Sequence, residues 1–159
     1  MYIFINPTCN CINLRVGSNT EAILHFKKME PTKIDTFNKL SEITFRPLLE
    51  EYGYLLKEIL TKEVNGLNWS TTHIYLNSKC GLKVELIQAP FYTDYGFTFI
   101  LYKLGTDKYN ILYNVPHEKQ DNEGNFIKRA CAELFKNPDI ISLVSGRTWK
   151  SLKSIPFQY

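Results

Sequence analysis

The sequence predicts an α+β fold built on a mainly antiparallel sheet of about five to seven strands. Three observations carry that prediction. The stretch from Tyr95 to Val115 reads as an aromatic-rich β-hairpin about a polar, Gly-containing turn at Leu104-Gly105-Thr106-Asp107-Lys108. The stretch 33–62 holds Phe45, Leu48, Leu49, Tyr52, Leu55, Leu56, Ile59 and Leu60 at spacings of three and four, the signature of one wide helical face. Further on, Ile127, Ala130, Cys131 and Leu134 form a second helical stripe.

Taken in chain order, Tyr2 to Ile5 is a short strand. Ile12, Leu14 and Val16 alternate with Asn13 and Arg15, the period of a half-buried strand, and Gly17-Ser18-Asn19 turns it toward a partner at Ala22 to Lys27. Pro31-Thr32-Lys33-Ile34-Asp35 opens a helix, with Thr32 as cap and Asp35 three residues on. The spacing predicts one long helix over 33–62, broken near Pro47, with its stronger part after the proline and Gly53 in its interior. Asn65-Gly66-Leu67-Asn68 is a loop, and Thr72 to Asn77 pairs with Leu82 to Ile87 as a hairpin. In the aromatic hairpin, Tyr95, Phe97, Phe99 and Leu101 share one face. Tyr109, Ile111, Tyr113 and Val115 share a face across the turn, with Asn110 and Asn114 opposite, and this reads as core against the preceding helix. C-terminal helices are expected at 126–136, capped by Asn125, and at 138–145, where Asn137-Pro138 restarts the chain.

Composition narrows the function classes. A chain of 159 residues is most simply one domain, 1–159, and 44% hydrophobic content supplies a full core without disulfides or metals. No apolar run approaches the roughly 18 residues of a membrane span. The N-terminal stretch lacks the basic and long apolar regions of a signal peptide, so a cytoplasmic location without membrane association is expected. Cys9, Cys11, Cys80 and Cys131 fit a reducing compartment. The net charge of +3 is concentrated at the end: 126–159 holds six basic residues against two acidic, and the remainder is nearly balanced.

Candidate chemistry is sparse. Cys9-x-Cys11 lacks the second pair that zinc sites show and reads as the flank of a turn, so neither a metal nor a cofactor is expected. The histidines are His25, His73 and His117. His25 and His73 lie in strands, and His117 with Glu118 opens a charged loop that also holds Asp121 and Glu123. A general base needs a partner carboxylate in a cleft, and spacing alone shows none. No nucleophile elbow or phosphate-binding glycine loop is present. At the C-terminus Arg147, Lys150 and Lys153 recur every three residues among Trp149, Phe157 and Tyr159. Basic groups interleaved with aromatics suit an acidic protein surface or a single-stranded nucleic acid. The competing reading docks Trp149, Leu152, Ile155 and Phe157 on the sheet and leaves the lysines solvated.

The run Phe97-Thr98-Phe99-Ile100-Leu101-Tyr102, a short turn, then Tyr109 to Asn114 resembles a strand pair in immunity proteins of contact-dependent growth-inhibition systems. The order of an amphipathic helix followed by a sheet is similar. The likeness covers about a third of the chain, by a hairpin pattern of general type. It implies a small α+β inhibitor that binds a toxin domain and has no catalytic residues of its own. The leading expectation is therefore a non-enzymatic immunity or inhibitor protein that neutralises a toxin or effector. Its partner-binding candidates are His117, Glu118, Asp121, Glu123, Arg147, Lys150 and Lys153. The alternatives are nucleic-acid binding through the basic aromatic segment, or a small enzyme that uses His117 or His73 with a carboxylate.

Overall fold

The structure, a computed structural model, describes residues 3–5, 12–14, 22–24, 32–89, 96–150 and 155–156. It divides into two compact units, Met1–Glu30 and Pro31–Tyr159. In the first, β1 (Ile3–Ile5), β2 (Ile12–Leu14) and β3 (Ala22–Leu24) form an antiparallel sheet in chain order, with Ile3 opposite Leu14 and Ile12 opposite Leu24.

The second unit opens with α1 (Lys33–Glu51). Thr32 caps it as expected: its hydroxyl accepts from the Asp35 amide at 3.1 Å, and the Asp35 carboxylate accepts from the Thr32 amide at 3.0 Å. Ile34, Phe37, Ser41, Phe45 and Leu49 make the buried stripe. The helix runs unbroken through Pro47, contrary to the expected break. Pro47 and Ile43, four residues back, both lie on the solvent side, where water can take the bond that proline cannot make.

The larger correction concerns where α1 stops. It ends at Glu51, and Leu55–Val64 is a strand, β4, not the second half of a helix. Gly53, with φ +83°, is the left-handed residue that terminates the helix. The Gly53 amide donates to the Glu50 carbonyl at 2.9 Å and the Tyr54 amide to the Leu49 carbonyl at 3.0 Å, the paired bonds of a Schellman turn. The helical spacing of Leu55, Leu56, Ile59 and Leu60 has a different cause. A bulge at Lys57 inserts one residue, so Leu56 opposite Tyr75 and Ile59 opposite His73 share a face, while Leu55, Glu58 and Leu60 share the other.

Asn65 and Gly66, both at positive φ, turn β4 into β5 (Leu67–Asn77). β6 (Leu82–Gln88), β7 (Gly96–Lys103) and β8 (Tyr109–Pro116) follow, each antiparallel to the one before. β9 (Ile155–Pro156) closes the far edge, parallel to β8, so the order is β4-β5-β6-β7-β8-β9. The fold is α+β on a mainly antiparallel sheet.

One face of the sheet carries the helices. α1 lies over β4 and β5; α2 (Asn125–Leu134) lies over β8 and against α1; α3 (Pro138–Val144) follows. Phe97 sits between layers, its ring 5.9 Å from Phe37, 5.8 Å from Phe45 and 6.1 Å from Phe126. The aromatic hairpin thus packs on α1 and α2, not on a helix over 47–62. Asn125 is the first residue of α2 and not its cap. Asp121 reaches back to accept the amides of Asn125 at 2.8 Å and Phe126 at 3.2 Å, while Asn137 caps α3.

The expected faces of β8 need a second correction. Phe99 pairs with Tyr113 but Ile100 with Ile111, so Leu112 is an extra residue. The bulge reverses the alternation. Asn110 and Leu112 point inward before it and Tyr113 and Val115 after it, whereas Tyr109 and Ile111 are exposed at 57% and 38%. On β7 the expectation for Phe97, Phe99 and Leu101 holds, since all three are fully buried.

Two glycines test this account by urea unfolding. Gly53→Ala places a side chain in the left-handed region and should cost about 1–2 kcal/mol. Gly96→Ala fails for a different reason: its Cβ would lie 2.0 Å from the Val115 carbonyl oxygen. Forcing the β7–β8 pair apart should cost about 1–3 kcal/mol or more.

Candidate functional site

The exposed end of the β7–β8 hairpin brings aromatic and basic groups together. The turn is tight: the Lys103 amide donates to the Lys108 carbonyl at 3.0 Å, and the Thr106 hydroxyl donates to the Lys103 carbonyl at 2.8 Å. Across it Tyr102 and Tyr109 face each other at 5.9 Å between ring centroids. The Lys83 ammonium lies 4.1 Å over the Tyr102 ring and 2.7 Å from the Glu85 carboxylate. Burial, and then Glu85 beside it, push the Tyr102 phenol up to about 12.

The segment after α3 completes this corner. Gly146, at positive φ, ends the helix, and the Arg147 and Thr148 amides both donate to the Ser142 carbonyl. Trp149 then packs partly buried on the core, with the Lys103 ammonium 5.9 Å from its ring. The buried Asn110 amide donates to the Lys150 carbonyl at 3.2 Å, which fixes the segment to β8. The Lys150 ammonium pairs with Asp139 at 2.7 Å. The cleft so formed has a volume of about 430 Å³ and is lined by Asp107, Lys108, Tyr109, Asn110, Trp149 and Lys150.

A second cleft, of about 340 Å³, lies between α1 and the β4–β5 pair. His73, in a strand as expected, faces it and is only 2% exposed. Its Nε2 is 2.9 Å from Asn38 Oδ1, an acceptor, so Nε2 carries the proton. Thr71 donates to the same oxygen at 3.3 Å, and the Phe37 ring lies 5.0 Å away. Burial drives the His73 pKa down to about 4, with Glu42 pulling weakly the other way. The partner of His73 is thus an amide, and an amide cannot take up the proton that a carboxylate would. The neighbouring Tyr75 phenol is pushed up to about 12 by burial, and its hydroxyl has no hydrogen-bond partner among the described residues.

The other sequence candidates fall into two separate groups. His117 sits in a 3-10 turn, His117–Lys119, just past β8, and its carbonyl accepts from the Lys33 ammonium at 3.1 Å. Its Nδ1 is 3.3 Å from Glu118 Oε2, without the angle of a hydrogen bond. Asp121 is occupied in capping α2, and Glu118 and Glu123 are exposed. Gln120, between them, is buried in a reciprocal amide pair with Gln88 at 2.6 and 3.2 Å. Arg147 and Lys150 belong to the opposite end of β8, roughly 20 Å along the strand, so the two groups do not form one site. Lys153, His25, Cys9 and Cys11 lie outside the described residues. The residues that sequence reasoning missed here are Lys108 and Tyr109. The signal that could have found Tyr109 is the unbroken triplet Ile111-Leu112-Tyr113, where strict alternation fails and a bulge must intervene.

Of the cysteines described, Cys80 is exposed and Cys131 is buried, its thiol pushed up to about 11 by burial. Among the described residues no three His, Cys, Asp or Glu side chains group as a metal site, and no helix is long and apolar enough to cross a membrane. The chain matches no protein-family model, no curated protein and no solved structure.

The state of His73 has a measurable consequence. Its folded pKa of about 4 lies below the usual 6.5, so between those values the unfolded chain binds the extra proton. Its contribution to stability should therefore be full above pH 6.5, fall as the pH drops toward 4, and change no further below. Urea midpoints measured across this window should show the fall, and His73→Gln should flatten it.

Proposed function

We propose that this protein works by binding another macromolecule, as an immunity or inhibitor protein that neutralises a toxin or effector domain. The observation that carries the reading is the aromatic–basic corner at the β7–β8 turn. There Tyr109 is exposed at 57% and Leu104 at 42%, with Lys108 and Lys150 lining the same cleft as Tyr109 and exposed Arg147 two residues before Trp149 in the chain, on a hairpin held from below by buried Phe97, Phe99 and Leu101. A rigid strand pair presenting tyrosine and basic groups loses little conformational entropy on docking. The ammonium and guanidinium groups favour an acidic patch on the partner. The sequence likeness to immunity proteins points the same way. The partners of the described histidines offer this reading no competitor: His73 is paired to an amide, and the His117 carbonyl is taken by the Lys33 ammonium. The acidic residues near His117 form a second, more distant contact zone. A cytoplasmic site of action accords with this reading.

The nucleic-acid reading rests on the same corner, because Tyr109 and the lysines could stack and pair along a single strand. One contact weighs against it: Trp149 is half-buried under Lys103, which takes it from stacking.

Calorimetric titration against the domains encoded by the genes on either side of this one is the direct test. A complex of one domain per chain is expected, and Tyr109→Ala and Lys108→Glu should each weaken it by about tenfold or more without lowering the melting temperature. Failure to bind any of those domains, with salt-dependent binding to single-stranded RNA or DNA instead, would move the assignment to the nucleic-acid reading.

A further inference from the structure

The two edges of the large sheet are treated differently. Beyond β8 the sheet is closed by the two-residue β9, which contains Pro156 and so offers little to a further strand. The other edge is β4, a ten-residue strand with no strand on its outer side among the described residues. Ile59 and Leu60 at its centre are exposed at 48% and 51%, and Glu58 and Lys62 are exposed beside them. Neither Glu58 nor Lys62 forms an ion pair among the described residues. Their neighbours across β5 are Ile74 and Ser70, which are uncharged. They also cannot pair with each other, because four residues along a strand is about 13 Å.

The order of these side chains suits one particular partner, a second copy of the same strand. Consider two β4 strands laid antiparallel about a two-fold axis through Leu60. Glu58 then meets Lys62 of the other copy, Ile59 meets Thr61, and Leu60 meets Leu60, all within the regular stretch between the bulge at Lys57 and the register shift after Lys62. Each charge faces its opposite and the apolar residues meet at the axis. Moving the register by one in either direction separates Glu58 from Lys62 and takes Leu60 off the axis. Charges that merely kept an edge soluble would not need this order. Residues 57–63 are all exposed, so this stretch of the edge is open to solvent.

We propose that the protein forms a two-fold dimer through β4, pairing in the register that centres on Leu60 and so extending both sheets into one. The axis is perpendicular to the sheet, so Glu58, Leu60 and Lys62 of one copy meet the same face of the other. This interface lies at the opposite edge from the β7–β8 corner and does not depend on what that corner binds.

Sedimentation equilibrium of the full chain tests the proposal, with circular dichroism and thermal melts to confirm that each variant folds. The wild type should show a concentration-dependent dimer. Lys62→Glu and Glu58→Lys should each weaken it by about tenfold or more, since each sets like charges opposite one another twice across the axis. The exchange of both, Glu58→Lys with Lys62→Glu, should restore the dimer. A wild type that stays monomeric up to about 1 mM overturns the proposal and leaves the edge to a strand of another protein. So does a dimer indifferent to the single changes, or one that the exchange fails to restore.

Discussion

A single polar side chain from the sheet holds the end of the first long helix. The Asn77 amide donates to the Tyr52 carbonyl at 2.7 Å, while its oxygen accepts from the Cys80 amide at 3.1 Å. Asn77 is 1% exposed, so both bonds are made out of water, where an unmade bond is costly. Its amide nitrogen lies 3.4 Å from where a Cβ on Gly53 would stand. The helix end, the β5–β6 turn and the left-handed glycine are therefore fixed together. From this point the chain reverses and enters β4. Tyr54, the first residue past the turn, is fully buried and its hydroxyl donates to the Val144 carbonyl at 2.8 Å, which ties the same corner to the end of α3.

Two bulges then decide what the sheet shows to solvent. At Lys57 the extra residue keeps Leu56 and Ile59 on the helix side and turns Glu58, Leu60 and Lys62 to the open side. At Leu112 the extra residue buries Asn110 and exposes Tyr109 and Ile111. Bulges re-aim side chains without altering strand order. Both surfaces given a role here, the β4 edge and the β7–β8 corner, are products of that re-aiming. The cleft beneath α1 is a product of the first one, since Leu56 and Ile59 line it together with His73.

Much of the fold was legible along the chain. The Thr32–Asp35 capping box, the β7 stripe of Phe97, Phe99 and Leu101, and the start of α3 at Asn137-Pro138 are local signals, and each appears where its residues place it. The second half of the expected long helix is not a helix because a bulged strand and a helix give Leu55, Leu56, Ile59 and Leu60 the same spacing. The better evidence was punctuation: Gly53 can end a helix, and Asn65-Gly66 is a hairpin turn. The candidate site was only half legible. Arg147, Lys150 and Trp149 stood out by charge and aromatic content. Tyr109 was assigned to the core by an alternation that the bulge interrupts. That Asp121 caps α2 was not legible, because a capping acid and a solvated acid are the same letter in a sequence.

By itself the sequence determined the class of fold and the identity of the sheet's inner face on β7. These follow from periodicity and residue type, which act within a few positions of the chain. Only the tertiary structure decided that Leu55–Val64 is an edge strand, that His73 faces Asn38 and stays neutral, and that Tyr109 and Lys150 share a cleft. Those outcomes depend on partners far away in sequence: Asn77 at the end of α1, Asn38 thirty-five residues from His73, and the Lys150 carbonyl forty residues from Asn110. Burial and hydrogen bonding at such separations are set by packing, and no local pattern encodes them.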